Sequence, residues 1–489
     1  MKTMTIRHIL ATLTAISLIL VSCSRETVLR DELPQIFPDY IGVTVPAGIA
    51  PLNFRLPEEY TKVFAKVSDN HGNVLTAKGR YADFNVGRWH RLTEANRGDT
   101  LTVTVAGYKD GKWEQFRSFM LFVSHYPLDD YGMTYRKFAP GYETYSKIGI
   151  YQRNIHNFDE DPIVEGTLLP GQCMGCHTAN ATSPDQFLFH LRGKHGATVV
   201  QTEGNRKWLE TKTDSTIAKA VYSYWHPSGD YVAHSNNKIH QLFWTGNNER
   251  YIEVYDDASD VIVHNVRNDQ YILSPLLMTE DFETYPAFSS DGRTLYFCSA
   301  PKKDVPAEAE DLHYNLCSIS FDVDTETYGT QVDTLINAYA AGKSVTFPRP
   351  SYDGRWLLYS YADFGCFPIN HKEADLWLMD LKDGSTHPLE RANSAYCESF
   401  HNWSSDSHWI LFASRRGDSL YSCIYIAEID EDGNASKPFI LPQKEPSFYH
   451  NTLFTFNVPD FTKEKVDFKI RGAHKEAFSD ERVKVTVKK

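Results

Sequence analysis

The residues of this sequence best suited to chemistry are two cysteines followed by a histidine. Cys173, Cys176 and His177 stand in the spacing C-x-x-C-H. Two thiols at this spacing can add to the two vinyl groups of a porphyrin, and the adjacent imidazole can bind the iron. The motif therefore predicts a covalent c-type haem, with all three residues binding the cofactor and His177 as the proximal metal ligand.

A haem iron also needs a sixth ligand, or a vacant position that a small molecule can fill. His190 ends the apolar run Phe-Leu-Phe, and His195 stands between a lysine and a glycine. The apolar run favours a buried imidazole at His190, which we predict as the second metal ligand, with His195 as the alternative. Either histidine is also compatible with a structural role. Arg192, between them, suits an anionic haem propionate.

Other chemistry is open to the same two thiols. A zinc site would use Cys173 and Cys176 as half of a tetrahedral set and would need two further ligands. The sequence has no second C-x-x-C to supply them. A disulfide between the two cysteines, structural or redox-active, is the other alternative. The sequence contains no G-x-S-x-G, H-E-x-x-H or P-loop pattern, so no hydrolase or transferase activity is predicted.

The first 23 residues have the pattern of an export signal. Lys2 and Arg7 precede an apolar stretch that is too short to span a bilayer comfortably. The stretch ends in Leu-Val-Ser-Cys at Cys23, which resembles the bacterial lipobox. That resemblance implies cleavage before Cys23, a lipid anchor on its thiol and, because Ser24 follows, placement at the outer membrane, on its periplasmic or its surface face. A plain signal peptide is the alternative.

Composition limits the class of protein. The chain has 489 residues, of which 42% are hydrophobic and 23% charged, as in a globular protein of several domains. Its formal net charge is −13 and no basic block occurs, which argues against a nucleic-acid partner. Aromatic residues make up 13% and favour strands. The rest of the sequence predicts no transmembrane helix.

Residues 41–125 predict a small β-sandwich-like module, which follows a signal peptide over residues 1–22 and a polar tether over residues 23–40. Leu101 to Val105 alternate with period two, and Lys-Asp-Gly-Lys at Lys109 to Lys112 is typical of a hairpin turn. No helical periodicity competes with the strands.

A repeated pattern predicts the fold of the rest. Four segments place a Ser/Asp/Gly turn between aromatic and aliphatic residues, at Gly229, Gly292, Gly354 and Ser407. Each is followed by an alternating apolar strand, as in a four-stranded propeller blade. The turn needs a positive φ, which glycine adopts without strain. Ser407 is therefore expected to be strained or to form a different turn.

These repeats resemble the WD40-like (PD40) repeats of TolB-type β-propellers. The resemblance implies an all-β propeller of about six blades over residues 216–489, and a partner bound by the propeller. We expect a further blade from residues 145–155 with 197–209. Another is expected from residues 448–487, either as a blade of its own or closing the ring with the N-terminal blade. The C-x-x-C-H segment, residues 126–215, is expected to form a long loop with the first blade. The whole arrangement resembles lipoproteins of Bacteroidetes that join these three parts.

The sequence thus predicts a membrane-anchored, exported lipoprotein whose haem serves envelope electron transfer or sensing. The alternative is a non-catalytic envelope scaffold that binds a protein or a glycan through its propeller. Of the remaining cysteines, Cys298 and Cys317 are expected on consecutive strands and could pair. Buried free thiols are expected at the others, Cys366, Cys397 and Cys423.

Overall fold

The computed structural model describes residues 27–139, 147–167, 172–243, 252–479 and 481–488. The predicted export signal and the lipidation of Cys23 lie outside the described residues. The chain is nearly all β, with 48% strand and 7% helix. The chain divides into two units. The first unit contains the described residues of 27–43, 50–123 and 442–448, and the second contains those of 44–49, 124–441 and 449–488. No helix in the described ranges is long and apolar enough to cross a membrane.

The first unit is built on a long central strand, Thr100–Lys109. One edge of this strand pairs with Lys62–Ser68 along most of its length. The other edge pairs with two shorter strands, Lys112–Gln115 and Phe119–Val123. The predicted hairpin turn is confirmed, with φ of 48° at Asp110 and 83° at Gly111. Among the described residues the strands of this unit are Thr27–Leu29, Lys62–Ser68, Val74–Gly79, Thr100–Lys109, Lys112–Gln115 and Phe119–Val123. They form one hydrogen-bonded sheet.

A helix in this unit, Val86–Glu94, was not predicted. Asn85 caps it, since its side-chain oxygen accepts a hydrogen bond from the amide of Arg88 at 3.0 Å. Trp89 and Leu92 are buried. With only nine residues, the helix gives too short an apolar pattern to stand out from the surrounding strands.

The second unit consists of six sets of antiparallel strands, which we call blades 1 to 6. Blade 1 is Thr455–Thr462, Gly132–Phe138, Ile148–Asn154 and Glu160–Glu165; blade 2 is Cys173–Asn180, Ser183–Arg192, Ala197–Thr202 and Asn205–Glu210; blade 3 is Ala220–Trp225, Tyr231–Phe243, Ile252–Asn265 and Gln270–Ile272. Blade 4 is Phe282–Phe288, Thr294–Ala300 and Asn315–Asp322 with Thr327–Tyr328 and Asp333–Ile336; blade 5 is Ser344–Pro350, Trp356–Ala362, Asp375–Asp380 and Thr386–Pro388; blade 6 is Glu398–Trp403, Trp409–Ser414, Cys423–Glu428 and Phe439–Ile440. Remaining elements of the unit are the strand Thr44–Val45 and the short helices Ala309–Asp311, Tyr339–Ala341 and Pro368–Asn370; a further short helix is Phe448–Asn451.

The blades form a closed ring, which confirms the predicted propeller. The first strand of each blade contacts the first strand of the next, and that of blade 6 contacts that of blade 1. Thr455–Thr462 completes blade 1 by pairing with Gly132–Phe138. The predicted grouping of residues 145–155 with 197–209 is wrong, because Ile148–Asn154 and Ala197–Thr202 belong to different blades.

The hydrophobic core of this unit lies between neighbouring blades. Cys298 and Cys317 lie on consecutive strands of blade 4, as predicted, but they do not pair, and all seven described cysteines are free. Cys317 pairs in register with Phe297, so the two thiols lie on opposite faces of the sheet. Cys298 packs with Phe347, whereas Cys317 packs in the cluster between blades 3 and 4.

The repeated turns behave as predicted. Gly229, Gly292 and Gly354 have φ of 77°, 73° and 78°. Ser407 keeps the same turn with φ of 65°, a conformation that strains a residue with a side chain. Its hydroxyl accepts a hydrogen bond from the amide of Asp353, in the turn of the preceding blade, at 3.1 Å.

The chain beyond blade 1 joins two other blades. A helix, Ile470–Phe478, is interrupted near its start at Arg471 and Gly472. Val483–Lys484 then adds in parallel to blade 2, and Thr486–Val487 adds in parallel to blade 3. The predicted closure of the ring by residues 448–487 is confirmed, because one of their strands completes blade 1. A separate blade from these residues is wrong, because the rest extends blades 2 and 3.

Candidate functional site

The first strand of every blade contains the same local distortion. A register shift between the first and second strands falls at this point in each blade. One residue there has φ between 45° and 54°, namely Cys176, Tyr222, Tyr285, Phe347, Phe400 and Val458 in blades 2, 3, 4, 5, 6 and 1. A β-bulge re-aims a side chain locally. The six residues are therefore equivalent positions around the centre of the ring.

Four of the six equivalent residues are aromatic and pack on one another. Ring centroids lie 4.7 Å apart for Tyr222 and Tyr285, 4.0 Å for Tyr285 and Phe347, and 5.0 Å for Phe347 and Phe400. Phe367, from the segment after the second strand of blade 5, joins them at 5.8 Å from Phe400. These rings fill one side of the centre.

The other two equivalent residues, Cys176 and Val458, have small side chains. Beside them lies a cavity with a volume of about 1010 Å³. Its wall includes the aromatic residues Tyr222, Phe347, Phe367 and Phe400. Cys176 and Val458 thus form part of the cavity wall at positions where the other blades carry an aromatic ring.

Four arginines from four different blades line this cavity: Arg136, Arg192, Arg349 and Arg415, from blades 1, 2, 5 and 6. Within the described ranges none of them has a carboxylate oxygen within ion-pair distance. A guanidinium in a partly enclosed site is stabilised by a bound anion. The wall is thus suited to negative charge.

One carboxylate, Asp460 at the bulge of blade 1, also lines the cavity. It accepts a hydrogen bond from the amide of Ala179 at 2.9 Å and another from the side chain of Asn402. Burial raises the pKa of Asp460 to about 7, against the opposing effect of Arg349. The guanidinium of Arg349 lies 5.2 Å from the ring centroid of Tyr224. Below pH 7 this carboxyl is largely neutral, and the wall is positive.

The predicted C-x-x-C-H motif lies on this wall, but in a strand rather than in the predicted loop. Cys176 is the bulge residue of blade 2, and His177 takes the position of Pro286, Pro348 and Pro459 in other blades. An extended strand separates Cα atoms three residues apart by roughly 10 Å, more than the ~7 Å limit of a disulfide. The free state of both thiols is consistent with that separation.

His177 is buried in the propeller. Its ring centroid lies 6.0 Å from that of Phe187, and burial lowers its pKa to about 3. Cys173 lies 3.5 Å from Nη2 of Arg136, and its Cα pairs in register with that of Arg192. The structure therefore brings Cys173, Cys176 and His177 to one cavity together with two guanidinium groups.

The two predicted distal ligands do not line this cavity. His190 is buried, its Nδ1 lies 2.8 Å from the hydroxyl of Thr198 and its Nε2 lies 2.9 Å from the hydroxyl of Ser223. Burial lowers the pKa of His190 to about 3. His195 packs on Phe478, with ring centroids 4.7 Å apart. No group of three metal-ligating side chains occurs in the part of the chain that the structure describes.

Of the four arginines of the wall, the sequence indicated only Arg192 and missed the other three. The four lie on four blades and share no spacing, so no local pattern marks them as a set. The sequence does contain a partial signal for the central position. Tyr285 and Phe347 each stand directly before a proline in two of the repeats, and an alignment of the first strands of all blades places Cys176 at the same position.

No protein-family model matches the chain. No curated protein matches it either. Among solved structures, it is similar to TolB from Acinetobacter baumannii, with 11% identity over 77% of this chain and 85% of that one and a TM-score of 0.44. It is also similar to prolyl oligopeptidase B from Galerina marginata, with 13% identity over 60% of this chain and 40% of that one and a TM-score of 0.35. At these TM-scores neither similarity carries a functional implication.

Proposed function

We propose that the propeller unit binds a small anionic organic molecule in its central cavity and does not transform it. The observation that carries the proposal is the set of four guanidinium groups around one cavity, none of which forms an ion pair with a carboxylate of the described residues. Charged groups in a partly enclosed site are favoured when an anion accepts their hydrogen bonds. The aromatic part of the wall supplies apolar contact, as in most small-molecule sites.

The two buried histidines of the wall are poorly suited to proton transfer. Burial lowers the pKa of both His177 and His401 to about 3. Nε2 of His401 lies 2.7 Å from the carbonyl oxygen of Phe347. A base with so low a pKa removes protons poorly at neutral pH. These imidazoles are suited to holding the wall in shape.

The fluorescent anion 8-anilinonaphthalene-1-sulfonate, which combines a sulfonate with aromatic rings, tests the proposal. We expect saturable binding by the native protein and about tenfold weaker binding by Arg192→Gln, the loss of one charged contact. Arg267→Gln is the matched control, since 74% of that side chain is exposed. Equal binding by native protein, Arg192→Gln and Arg415→Gln, with thermal unfolding unchanged, would contradict the proposal.

A covalent haem is a second candidate occupant, favoured by the meeting of Cys173, Cys176 and His177 on the same wall. Haem would supply a redox-active iron, and Arg136 and Arg192 would meet its propionates. The extended strand is less suited than a turn to presenting both thiols to one porphyrin. A visible spectrum and an intact mass, after expression with cytochrome maturation and with Cys176→Ala as control, test this. Absence of a Soret band and of added mass would exclude it.

We also propose, from residues 1–23 alone, that the chain is exported and anchored to a membrane by a lipid on Cys23. A partner in the envelope, either a protein or a glycan, would then meet the propeller there. Cys23→Ser is expected to move the protein from the membrane fraction to the soluble fraction. Unchanged partition would contradict the lipid anchor and leave the cavity proposal intact.

A further inference from the structure

We infer that the long hairpin of blade 3 is a hinged lid on the central cavity, and that the buried pair of Glu253 and His371 latches this lid to blade 5. The inference rests on the proposed function, because it names what controls entry to the same cavity. It is carried by the length and register of the hairpin, by the residues of the cavity wall and by the contacts of the pair.

The hairpin of blade 3 is longer than those of the other blades. Its strands, Tyr231–Phe243 and Ile252–Asn265, have 13 and 14 residues, whereas the second and third strands of the other blades have six to ten. The first strand of blade 3 ends opposite Asn236, so the hairpin runs past its own sheet. A two-stranded ribbon is marginally stable by itself and needs other contacts to keep its position.

The projecting part of the hairpin begins at a β-bulge. The register of the two strands shifts between Lys238 and Ile239, which leaves Asp257 as the extra residue. We call residues 239–243 and 252–256, beyond this bulge, the arm. A bulge bends a strand pair and interrupts its ladder locally. The bulge is therefore the point at which the arm can swing relative to its blade.

One face of the arm forms part of the cavity wall. The residues of the arm that line the cavity are Ile239, Gln241, Ile252 and Val254. They occupy alternate positions on the two strands, so their side chains share one face. The wall also includes residues where the second strand leads into the third in three other blades, namely Arg192, Phe367 and Arg415. The arm therefore covers the cavity at this end of the ring.

The latch joins the arm to the segment after the second strand of blade 5. Nε2 of His371 lies 3.0 Å and 3.1 Å from the two carboxylate oxygens of Glu253, and both side chains are buried. Beside this pair, Sγ of Cys366 donates to the carbonyl oxygen of Val254 at 3.6 Å. An added Cβ at Gly365 would lie 3.3 Å from Oε1 of Glu253, so the segment approaches the carboxylate closely.

The blade 5 segment is the fixed side of the latch, because it is bonded to the blades on both sides of it. The amide of Gly365 donates to the carbonyl oxygen of Leu312, in blade 4, at 2.7 Å. Nη2 of Arg415, in blade 6, donates to the side-chain oxygen of Asn370 at 3.0 Å. Loss of the pair should therefore release the arm and leave the segment in place.

A lid at this position would act on both the rate and the strength of binding. Closure of a site expels water and strengthens the interaction of its charged groups with a ligand. Opening of a lid sets the rates at which a ligand enters and leaves. The latch therefore keeps the guanidinium groups of the wall enclosed, and its opening admits the anion.

The test measures access to the cavity without relying on its attraction for anions. Neutral iodoacetamide alkylates Cys173 and Cys176 of the wall, where the thiolate sulfur displaces iodide, and mass spectrometry of their peptide gives the rate in the full chain. We expect Glu253→Gln to react at least about tenfold faster than the native protein, because a weaker latch raises the open fraction. His371→Gln should do the same, and the double variant should be no faster than either single variant.

Glu398→Gln is the matched control. The carboxylate of Glu398 is also buried and lies 2.7 Å from Nη2 of Arg416, but neither residue belongs to the arm or to the blade 5 segment. This variant should lose thermal stability without faster alkylation.

An unchanged rate of alkylation in Glu253→Gln would overturn the lid and leave the anionic cavity in place. Equal acceleration in Glu398→Gln would overturn the latch, because it would report general loosening of the fold. Glu253→Gln should also bind and release anilinonaphthalene sulfonate faster than the native protein. Accelerated alkylation in this variant, without binding of the sulfonate by the native protein, would support the lid and contradict the proposed function.

Discussion

At the scale of single residues, the glycines of the repeated turns are fixed by close packing as well as by φ. An added Cβ at Gly292 would lie 2.0 Å from Nε2 of His226. That imidazole is held by hydrogen bonds to Ser228 and to the carbonyl oxygen of Gly292, and it packs on Phe288. The ring therefore cannot move aside without loss of these contacts.

We predict that Gly292→Ala destabilises the protein by about 3 kcal/mol, as the sum of left-handed strain and overpacking. Gly384→Ala is the matched control, because Gly384 has φ of 77° and no atom within 4 Å of an added Cβ. Gly384→Ala should lower the free energy of unfolding by about 1 kcal/mol, from the left-handed strain alone. Equal losses of thermal stability in the two variants would contradict the role of His226.

Asp460 gives the cavity a dependence on pH. Because burial raises the pKa of this carboxyl to about 7, it is largely neutral below pH 7 and negative above. We predict that binding of anilinonaphthalene sulfonate weakens as pH rises through 7, by roughly tenfold at most. Asp460→Asn should remove this pH dependence. The affinity of the variant for anilinonaphthalene sulfonate at pH 8 should equal that of the native protein at pH 6. An unchanged pH profile in the variant would show that another group titrates.

At the scale of elements, a buried ion pair joins blade 3 to the segment that carries Phe367. Nε2 of His371 lies 3.0 Å from Glu253, and its Nδ1 lies 3.3 Å from Glu373. Burial lowers the pKa of His371, but the hydrogen bonds to the two glutamates outweigh it and raise the pKa to about 9. The imidazole is therefore charged at neutral pH.

This ion pair has a predicted pH window. Its contribution is complete below about pH 6.5, the pKa of an unfolded histidine, and is lost as pH rises through about 9, the folded value. Glu253→Gln should therefore lower the melting temperature most near pH 6, with a loss on the order of 3 kcal/mol, and least near pH 10. A deficit that stays constant from pH 6 to pH 10 would contradict this account.

Strand pairing also explains why the C-x-x-C-H motif lies in a strand and not in the predicted loop. Its local spacing is compatible with a turn, and Leu-Pro-Gly before it favours a loop. The segment forms a strand because it serves as the first strand of blade 2. Met174 and Ala179 are buried in the core, and Cys176 forms the same bulge as the first strands of the other blades. Pairing with Ser183–Arg192 therefore decides the structure, and that pairing is not visible in eight residues.

At the scale of the whole molecule, two of the six equivalent positions around the centre, Cys176 and Val458, lack the aromatic ring of the other four and line the cavity. Phe347 and Phe400 show that phenylalanine is accommodated there at φ of 53° and 50°. We predict that Cys176→Phe places a ring inside the cavity beside the arginines, keeps the fold and weakens anion binding at least about tenfold. Cys176→Ser is the control, because it removes the thiol but leaves the space. Retained binding in Cys176→Phe would place the anion elsewhere.

More of the fold than of the candidate site could be predicted from the sequence. The turns at Gly229, Gly292, Gly354 and Ser407 recur because each blade needs the same left-handed turn, so the propeller is visible in the repeats. The cavity is formed by residues that deviate from the repeat, such as Cys176 and Val458, and by arginines at unrelated offsets. These residues come together only when Thr455–Thr462 closes the ring, and which side chains then face the centre depends on the tertiary structure.

The attraction of the cavity for anions can be measured directly at its own thiols. We predict that the ratio of the reaction rate with iodoacetate to that with neutral iodoacetamide is at least about tenfold higher for Cys173 and Cys176 than for N-acetylcysteine, since clustered positive charge raises the local concentration of an anion. The ratio should fall toward that of N-acetylcysteine in the double variant Arg136→Gln, Arg192→Gln. A ratio equal to that of N-acetylcysteine in the native protein, or thiols that react with neither reagent because they are already bound to haem, would contradict a central cavity that binds small anions.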